Sequence, residues 1–498
     1  MGMVSRMKRA ASEIVPLLTL DRAAAKPLYR QLYEGFREAI LAGRLEAGQR
    51  LPSTRGLAEE LQISRLPVLT AFEQLLAEGY FESRAGAGTF VARALADPRR
   101  VSSAPHEPRP GRRDVAANPG LPLGRQEPWL QGLGAFRVSQ IAVDSFPLQV
   151  WSGLVARHGR NPRASQLLYG DPRGDLRFRE TLALYLRTSR GVRCAPEQIL
   201  VTSGSQHGLT IAARVLLDPG DEVWMEEPGY PGARDALAIA GARLIPVPVD
   251  EEGLDVAAGV DLGPRARAAY VTPSHQYPLG ATLTASRRLQ LLDWARRSGA
   301  WILEDDYDSE YRYESQPIAA LQGLDRDSRV IYIGTFSKVL FPALRVGYLV
   351  VPADLVSRFV AMRAAIDDFP PALYQAVLTD FLAEGHFARH LRRMRQLYRQ
   401  RRGALVEALR SEPGLALQVQ GEGAGMHLAA VLEPGVDDRR ISEQAARQGL
   451  WTMPLSACCL GTPARSGLVL GYGGTGIPEI RDGVRRLGQI MAGRGPGS

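Results

Sequence analysis

Between residues 94 and 126 the chain holds six prolines and six arginines, and no apolar stripe of helical period. Proline fixes φ and lacks an amide donor, so neither a helix nor a central strand runs through such a stretch. The chain therefore cannot fold as one continuous unit. The break reads as a linker. As a flexible coil its 33 residues would span about 30 Å. A head is expected at 24–93, the linker at 94–126 and a body at 127–491.

The whole chain of 498 residues is 45% hydrophobic and 23% charged. That is ordinary globular composition, which excludes wholesale disorder, collagen and coiled coil. No run of about 18 apolar residues occurs, so no membrane partner is expected. The start carries Arg6, Lys8 and Arg9 but only a short apolar patch broken by Pro16, a poor secretion signal. Cys194, Cys458 and Cys459 form no CxxC and no zinc spacing. They read as isolated thiols of a reducing cytoplasm, and no metal is expected. Net charge is +8, and residues 1–113 hold 18 Lys and Arg against 12 Asp and Glu. A basic end on a nearly neutral body suits an acidic polymer as partner of that end.

In the head, Pro27 is a good first-turn residue. Leu28, Leu32, Phe36 and Ile40 then recur at i, i+4, and Gly43 ends the helix. Ser53 is placed to cap a second helix that buries Leu57 and Leu61, and Ser64 to cap a third with Val68, Phe72, Leu75 and Leu76 inward. Residues 80–91 read as two strands around Ala85-Gly86-Ala87-Gly88. Two helices joined by a tight turn make a helix-turn-helix, and the hairpin would be its wing. The bland alternative is a small helical domain with solvated arginines.

The run from PLYRQL to GTFV, with LPSTRGLAEELQISR inside it, closely resembles the GntR-type winged-helix DNA-binding domain. The resemblance implies operator DNA as partner and puts Arg55, Ser64, Arg65, Arg84 and Gly86 on DNA-contacting positions. Leu66-Pro67 departs from the family, which has a small polar residue at 67. That change removes a hydroxyl and an amide from the DNA face.

The body alternates strand-like apolar runs, such as Ile199-Leu200-Val201 and Val330-Ile331-Tyr332-Ile333, with helical stretches from 206, at 232–240 and at 287–298. Continuous apolar runs bounded by turns suit a buried, mostly parallel sheet, so the class is α/β. Sites in such a sheet gather at strand C-termini. Three chemically uneven segments fall there: Thr202-Ser203-Gly204-Ser205-Gln206, Glu304-Asp305-Asp306-Tyr307, and Thr335-Phe336-Ser337-Lys338 with Arg345 beyond. The first suits a phosphate at a helix start. A lysine among hydroxyls and an arginine suits a Schiff base beside that phosphate. Each alone has an ordinary reading, as a turn, a solvated loop or an exposed lysine.

The ordered set LLYGDPRGDLRFRETLALYL, SGSQHGL, EEPGYPG, TPSHQYPLG, EDDYDSEYRY and GTFSKVLFPALRVGYLV closely resembles the fold-type I pyridoxal 5'-phosphate (PLP)-dependent aminotransferases. The resemblance implies PLP as cofactor, in Schiff-base linkage to Lys338. Asp305 would pair with the pyridinium nitrogen and Tyr307 with the ring phenolate, while Tyr230 would stack on the ring. Ser205, Gln206, Thr335, Ser337 and Arg345 would hold the phosphate. Tyr169 would reach the phosphate of a neighbouring subunit. The family clamps a substrate carboxylate with an arginine near the C-terminus. Here that position aligns with Val469, and the nearest arginine is Arg465. His275 and His427 could line the pocket, or serve as structural histidines.

Winged helix, linker and aminotransferase-like body in this order resemble the MocR/GabR-like regulators. The resemblance implies a cytoplasmic, head-to-tail homodimeric transcription factor that senses a small amine, an amino acid or PLP itself, with repeated half-sites in its operator. An active aminotransferase with an accessory head is the alternative. A cofactor-free body is a third reading.

Overall fold

A computed structural model describes residues 18, 20–93, 127–313, 318–415 and 417–493. The expected linker and the N-terminal segment with Arg6, Lys8 and Arg9 lie outside the described residues. The chain divides into two units, 1–116 and 117–498.

The head opens with α1 (Leu28–Leu41), whose Leu32, Phe36 and Ile40 are buried while Leu28 is half-buried. α2 (Thr54–Glu60) is capped as expected, the Ser53 hydroxyl accepting the Gly56 amide at 3.1 Å. α3 (Arg65–Ala77) starts after Ser64, but that side chain makes no capping hydrogen bond and stays exposed. β1 (Phe81–Arg84) and β2 (Gly88–Val91) pair antiparallel as the wing, Arg84 opposite Gly88. Phe36, Phe72 and Phe81 meet edge-to-face with ring centres 5.0–5.5 Å apart. This trio ties two helices to the wing. Head packing also takes in residues upstream of 24, among them Leu18 and Arg22. Leu18 is buried in the same core. Arg22 donates to the Leu61 and Gln62 carbonyls at 3.0 and 2.9 Å, clasping the turn between α2 and α3.

The body is built on an eight-stranded sheet ordered β3-β10-β9-β8-β7-β4-β5-β6. Its strands are β3 (Ile199–Thr202), β4 (Glu222–Glu227), β5 (Arg243–Asp250), β6 (Gly253–Leu254), β7 (Ala268–Val271), β8 (Trp301–Asp306), β9 (Val330–Thr335) and β10 (Gly347–Val350). The pairs β4·β5, β4·β7, β7·β8 and β8·β9 are parallel, and β10 runs against both its neighbours. Both faces are covered: Ile331 and Ile333 enter one apolar cluster and Tyr332 another. That is why β3, β7, β9 and β10 are buried at every position. Helices form at Ser205–Leu216, Pro231–Ile239 and Ala285–Ser298, within two residues of the sequence expectation.

A second sheet, ordered β11-β12-β14-β13, is antiparallel throughout and comprises β11 (Leu417–Gln420), β12 (His427–Leu432), β13 (Met453–Pro454) and β14 (Gly467–Gly471). All three cysteines are free thiols. Among the described residues no helix is long and apolar enough to cross a membrane.

Replacing Phe36 by Ala should destabilise the head by about 3–5 kcal/mol, the range for a buried aromatic truncated in a packed core. Amide hydrogen exchange across 28–91 measures it. A loss below about 1 kcal/mol would mean that the aromatic trio does not hold the head together.

Candidate functional site

The parallel strands deliver their C-termini to one edge, and a cavity of about 170 Å³ opens there. Nine residues predicted from the sequence line it: Ser205, Gln206, Tyr230, Asp305, Tyr307, Thr335, Ser337, Lys338 and Arg345. Tyr169, the tenth, is 88% exposed, with its ring against Phe369.

One end of the cavity is a helix start. Ser205 and Gln206 are the first residues of Ser205–Leu216, whose N-terminal amides and dipole favour an anion. Gly204 caps that helix at φ +92°, and a Cβ there would come within 3.2 Å of the Arg345 guanidinium. Glycine both permits the turn and lets the cation approach the helix start. Arg345 donates to the Ser203 carbonyl at 2.6 Å, and the Thr335 hydroxyl accepts the Ser337 amide at 3.2 Å. Hydroxyls, amides and a guanidinium thus converge at the helix start.

The floor is Asp305. Its Oδ2 accepts the Tyr270 hydroxyl at 2.8 Å, and its Oδ1 is buried without a partner. Burial pushes this carboxyl up to about 7, against the Tyr270 hydrogen bond and the charge of Lys338 that favour ionisation. A cationic ring nitrogen is the chemistry that would satisfy the orphaned oxygen. Lys338 stands three residues past β9. Burial lowers its amine to about 8, opposed by the charges of Asp308 and Asp305. That is a nucleophile near readiness at neutral pH. Tyr230 packs edge-to-face on Tyr277, ring centres 5.4 Å apart. Tyr307 donates to the His275 carbonyl at 2.9 Å, with its oxygen 3.0 Å from His275 Nδ1.

His427 lines the cavity, and His275 stands behind Tyr307 with Nδ1 3.2 Å from Asp308 Oδ1. Burial holds His427 well below the usual imidazole range, hence neutral. His275, Asp308 and His427 bring one donor atom each to within 4.8 Å of one another. The sequence reading missed Tyr270, Tyr277, Asp308 and Ser139, all in the cavity wall. The EDDYDSEYRY motif contains Asp308 and TPSHQYPLG contains Tyr277, but no local signal marks Tyr270 or Ser139. Val469 is buried in β14, facing Ala429 and Met453 across the two pairings. Arg465 is exposed before that strand and lines nothing here.

In the head, Arg55, Ser64, Arg65 and Gly86 are exposed. The Arg65 Nε donates to Thr54 Oγ1 at 3.2 Å, which joins the start of α3 to the start of α2. Arg84 is tied to Glu82 and lies over the Phe90 ring, 4.4 Å from its centre.

Family models match both units: "Bacterial regulatory proteins, gntR family" over 28–91 and "Aminotransferase class I and II" over 155–465. The probable rhizopine catabolism regulatory protein MocR of Rhizobium meliloti is 42% identical over 95% of each chain. The chain belongs to the GntR family of transcriptional regulators, in its MocR-type branch. Another member, the pyridoxine biosynthesis transcriptional regulator PdxR of Corynebacterium glutamicum, is 34% identical over 89% of this chain and 91% of its own. The body of this MocR-type chain also matches the crystal structure of LysN, an alpha-aminoadipate aminotransferase from Thermus thermophilus complexed with N-(5'-phosphopyridoxyl)-L-leucine. That match has TM-score 0.68 and 30% identity, and covers 74% of this chain and 94% of the other. The chain is thus a regulator with an aminotransferase-like fold-type I body.

The Lys338 amine in cofactor-free protein should acylate with a midpoint near pH 8, read by peptide mass spectrometry across a pH series. Asp305→Asn removes a charge that holds the proton on, so the midpoint should move lower. A midpoint near 10, or one unmoved by the substitution, would contradict this electrostatic account.

Proposed function

We propose that this regulator binds PLP in the body cavity and reads an amine there, or PLP itself, to change its grip on operator DNA. The observation that carries this reading is the pairing of a depressed Lys338 with an orphaned Asp305 oxygen, a helix-start anion cradle beside them. When bound, the cofactor supplies an aldehyde that condenses with primary amines and a ring that withdraws electrons. Ser205, Gln206, Thr335, Ser337 and Arg345 bind its phosphate. Asp305 would hold the proton of the ring nitrogen, Tyr230 would face the ring, and Tyr307 would release the His275 carbonyl to offer its hydroxyl to the phenolate. Lys338 would supply the amine that condenses with the aldehyde, releasing water, and an amine effector entering the cavity would compete with it. For regulation to follow, ligand must bind two states of the protein unequally, and DNA must reciprocally change ligand affinity.

The protein acts in the cytoplasm as a head-to-tail homodimer. Leu167, Leu168 and Tyr169 form a consecutive exposed apolar run, 72%, 66% and 88% accessible. Such a run is uncommon on a surface without a partner. In the dimer Tyr169 completes the phosphate cradle of the second subunit. In the head, Ser64 and Arg65 at the start of α3 read base edges, with Arg55, Arg84 and Gly86 on the backbone or groove. Arg84 must first release Glu82. The buried Val469, where a carboxylate-binding arginine is expected, favours sensing over sustained transamination.

Borohydride reduction of the PLP-treated protein should trap an adduct, and Lys338→Ala should abolish it. An undiminished adduct in that variant would overturn the reading. In operator-binding assays Arg65→Ala should cost about 1–3 kcal/mol if the residue reads a base. Wild-type affinity should fall steeply with salt through counterion release. Unchanged affinity would remove Arg65 from the interface.

A further inference from the structure

If the cavity takes an amine that also bears an acid, position 469 offers that acid nothing. Val469 is buried between Ala429 and Met453. The backbone of one arginine nevertheless runs beside the same strand from elsewhere in the chain. Phe136 bridges Gly471 at the end of β14, and a Cβ on Gly471 would meet the Arg137 carbonyl oxygen at 2.3 Å. Arg137 therefore lies directly against the strand that lacks the expected cation. Val138 packs on the cluster of Trp129, Tyr277, Met453 and Val469, and Ser139 lines the cavity.

The Arg137 side chain is half-buried and donates one hydrogen bond, Nη1 to the Trp129 carbonyl at 2.7 Å. Among the described residues no carboxylate pairs with it. A guanidinium has five N–H groups in a fork that fits a planar carboxylate. Burial lowers its proton affinity. Its positive charge also acts on Lys338, lowering that amine. A half-buried cation with spare donors and no acid is open to an incoming carboxylate. Arg345, the arginine that lines the cavity, is held at the helix-start end by the Ser203 carbonyl, and Arg137 stands behind the wall that Ser139 forms.

We propose that Arg137 receives the carboxylate of an amino-acid effector, taking the part that the family gives to an arginine at the position of Val469. The inference rests on the amine-sensing reading of the cavity and narrows its ligand to amines that carry an acid.

Full-length protein is titrated with propionate by calorimetry, with and without PLP. L-alanine and 4-aminobutyrate are then compared with ethylamine and propylamine, their counterparts lacking the carboxyl, by cofactor absorbance. Wild type should bind propionate, and should bind at least one amino acid tenfold or more tighter than its acid-free counterpart. Arg137→Gln should lose both properties while still responding to ethylamine and propylamine, which also reports an intact cavity. Should that variant not fold, Arg137→Lys carries the test, with the preference reduced several-fold but not lost. An acid preference that persists in Arg137→Gln, or an amine response in wild type without any acid preference, overturns the proposal. Propionate binding that needs Arg137, with no response to any amine, upholds it and rejects amine sensing. An amine response without Arg137-dependent acid preference does the reverse.

Discussion

The pleat of β8 sorts three consecutive acids into two kinds of chemistry. Side chains alternate across a strand, so Glu304 and Asp306 share one face and Asp305 takes the other. Glu304 accepts the Leu321 and Gln322 amides at 2.7 and 2.8 Å. Asp306 is paired with Arg190 at 2.7 Å, and Arg190 also donates to the Ile318 carbonyl at 2.7 Å. Both oxygens of Glu304 and Oδ2 of Asp306 are thus tied into the fold and fix β8 in place, while Asp306 Oδ1 is buried without a partner. Asp305 is aimed into the cavity with one oxygen unsatisfied. A slip of one residue in this strand would exchange the roles.

The parallel register then places the amine. Asp305 lies opposite Ile333 on β9, and the chain leaves that strand two residues later to present Thr335, Ser337 and Lys338. The anion cradle comes from the other side, where β10 pairs with both β9 and β3. Gly347 lies opposite Thr202 and Thr335 at once. Arg345 and the start of Ser205–Leu216 therefore meet because one strand is held between two others. An acid floor, an amine and an anion cradle need no flexible loop to find one another, as preorganisation requires.

Much of this was legible in the sequence, for local reasons. Helix stripes at i, i+4, the Ser53 cap and the Gly-rich wing turn act over a few residues and leave direct signatures. The strand-end motifs were legible because buried parallel strands are continuous apolar runs ending in polar residues. The acidic run Glu304-Asp305-Asp306 also reads as a solvated loop, and in the fold it is entirely buried strand. What the sequence could not announce are contacts across long separations. Arg190 finds Asp306 116 residues away and Tyr270 finds Asp305 35 residues away. Neither pair has a spacing that marks it. Arg137 is a similar case, since its relation to Val469 passes through a bridge between Phe136 and Gly471.

The Arg22 clasp bears on where the DNA-reading unit begins. The turn between α2 and α3 ends a helix of seven residues, too short to cap all its own carbonyls. Arg22 answers two of those carbonyls from outside every recognisable helix, 39 and 40 residues upstream of them. A fragment trimmed to start at Pro27 would keep the three helices and the wing while leaving the hinge of the motif unpinned. The angle at which α3 is offered to a major groove is thus set partly by a stretch with no DNA-binding signature of its own.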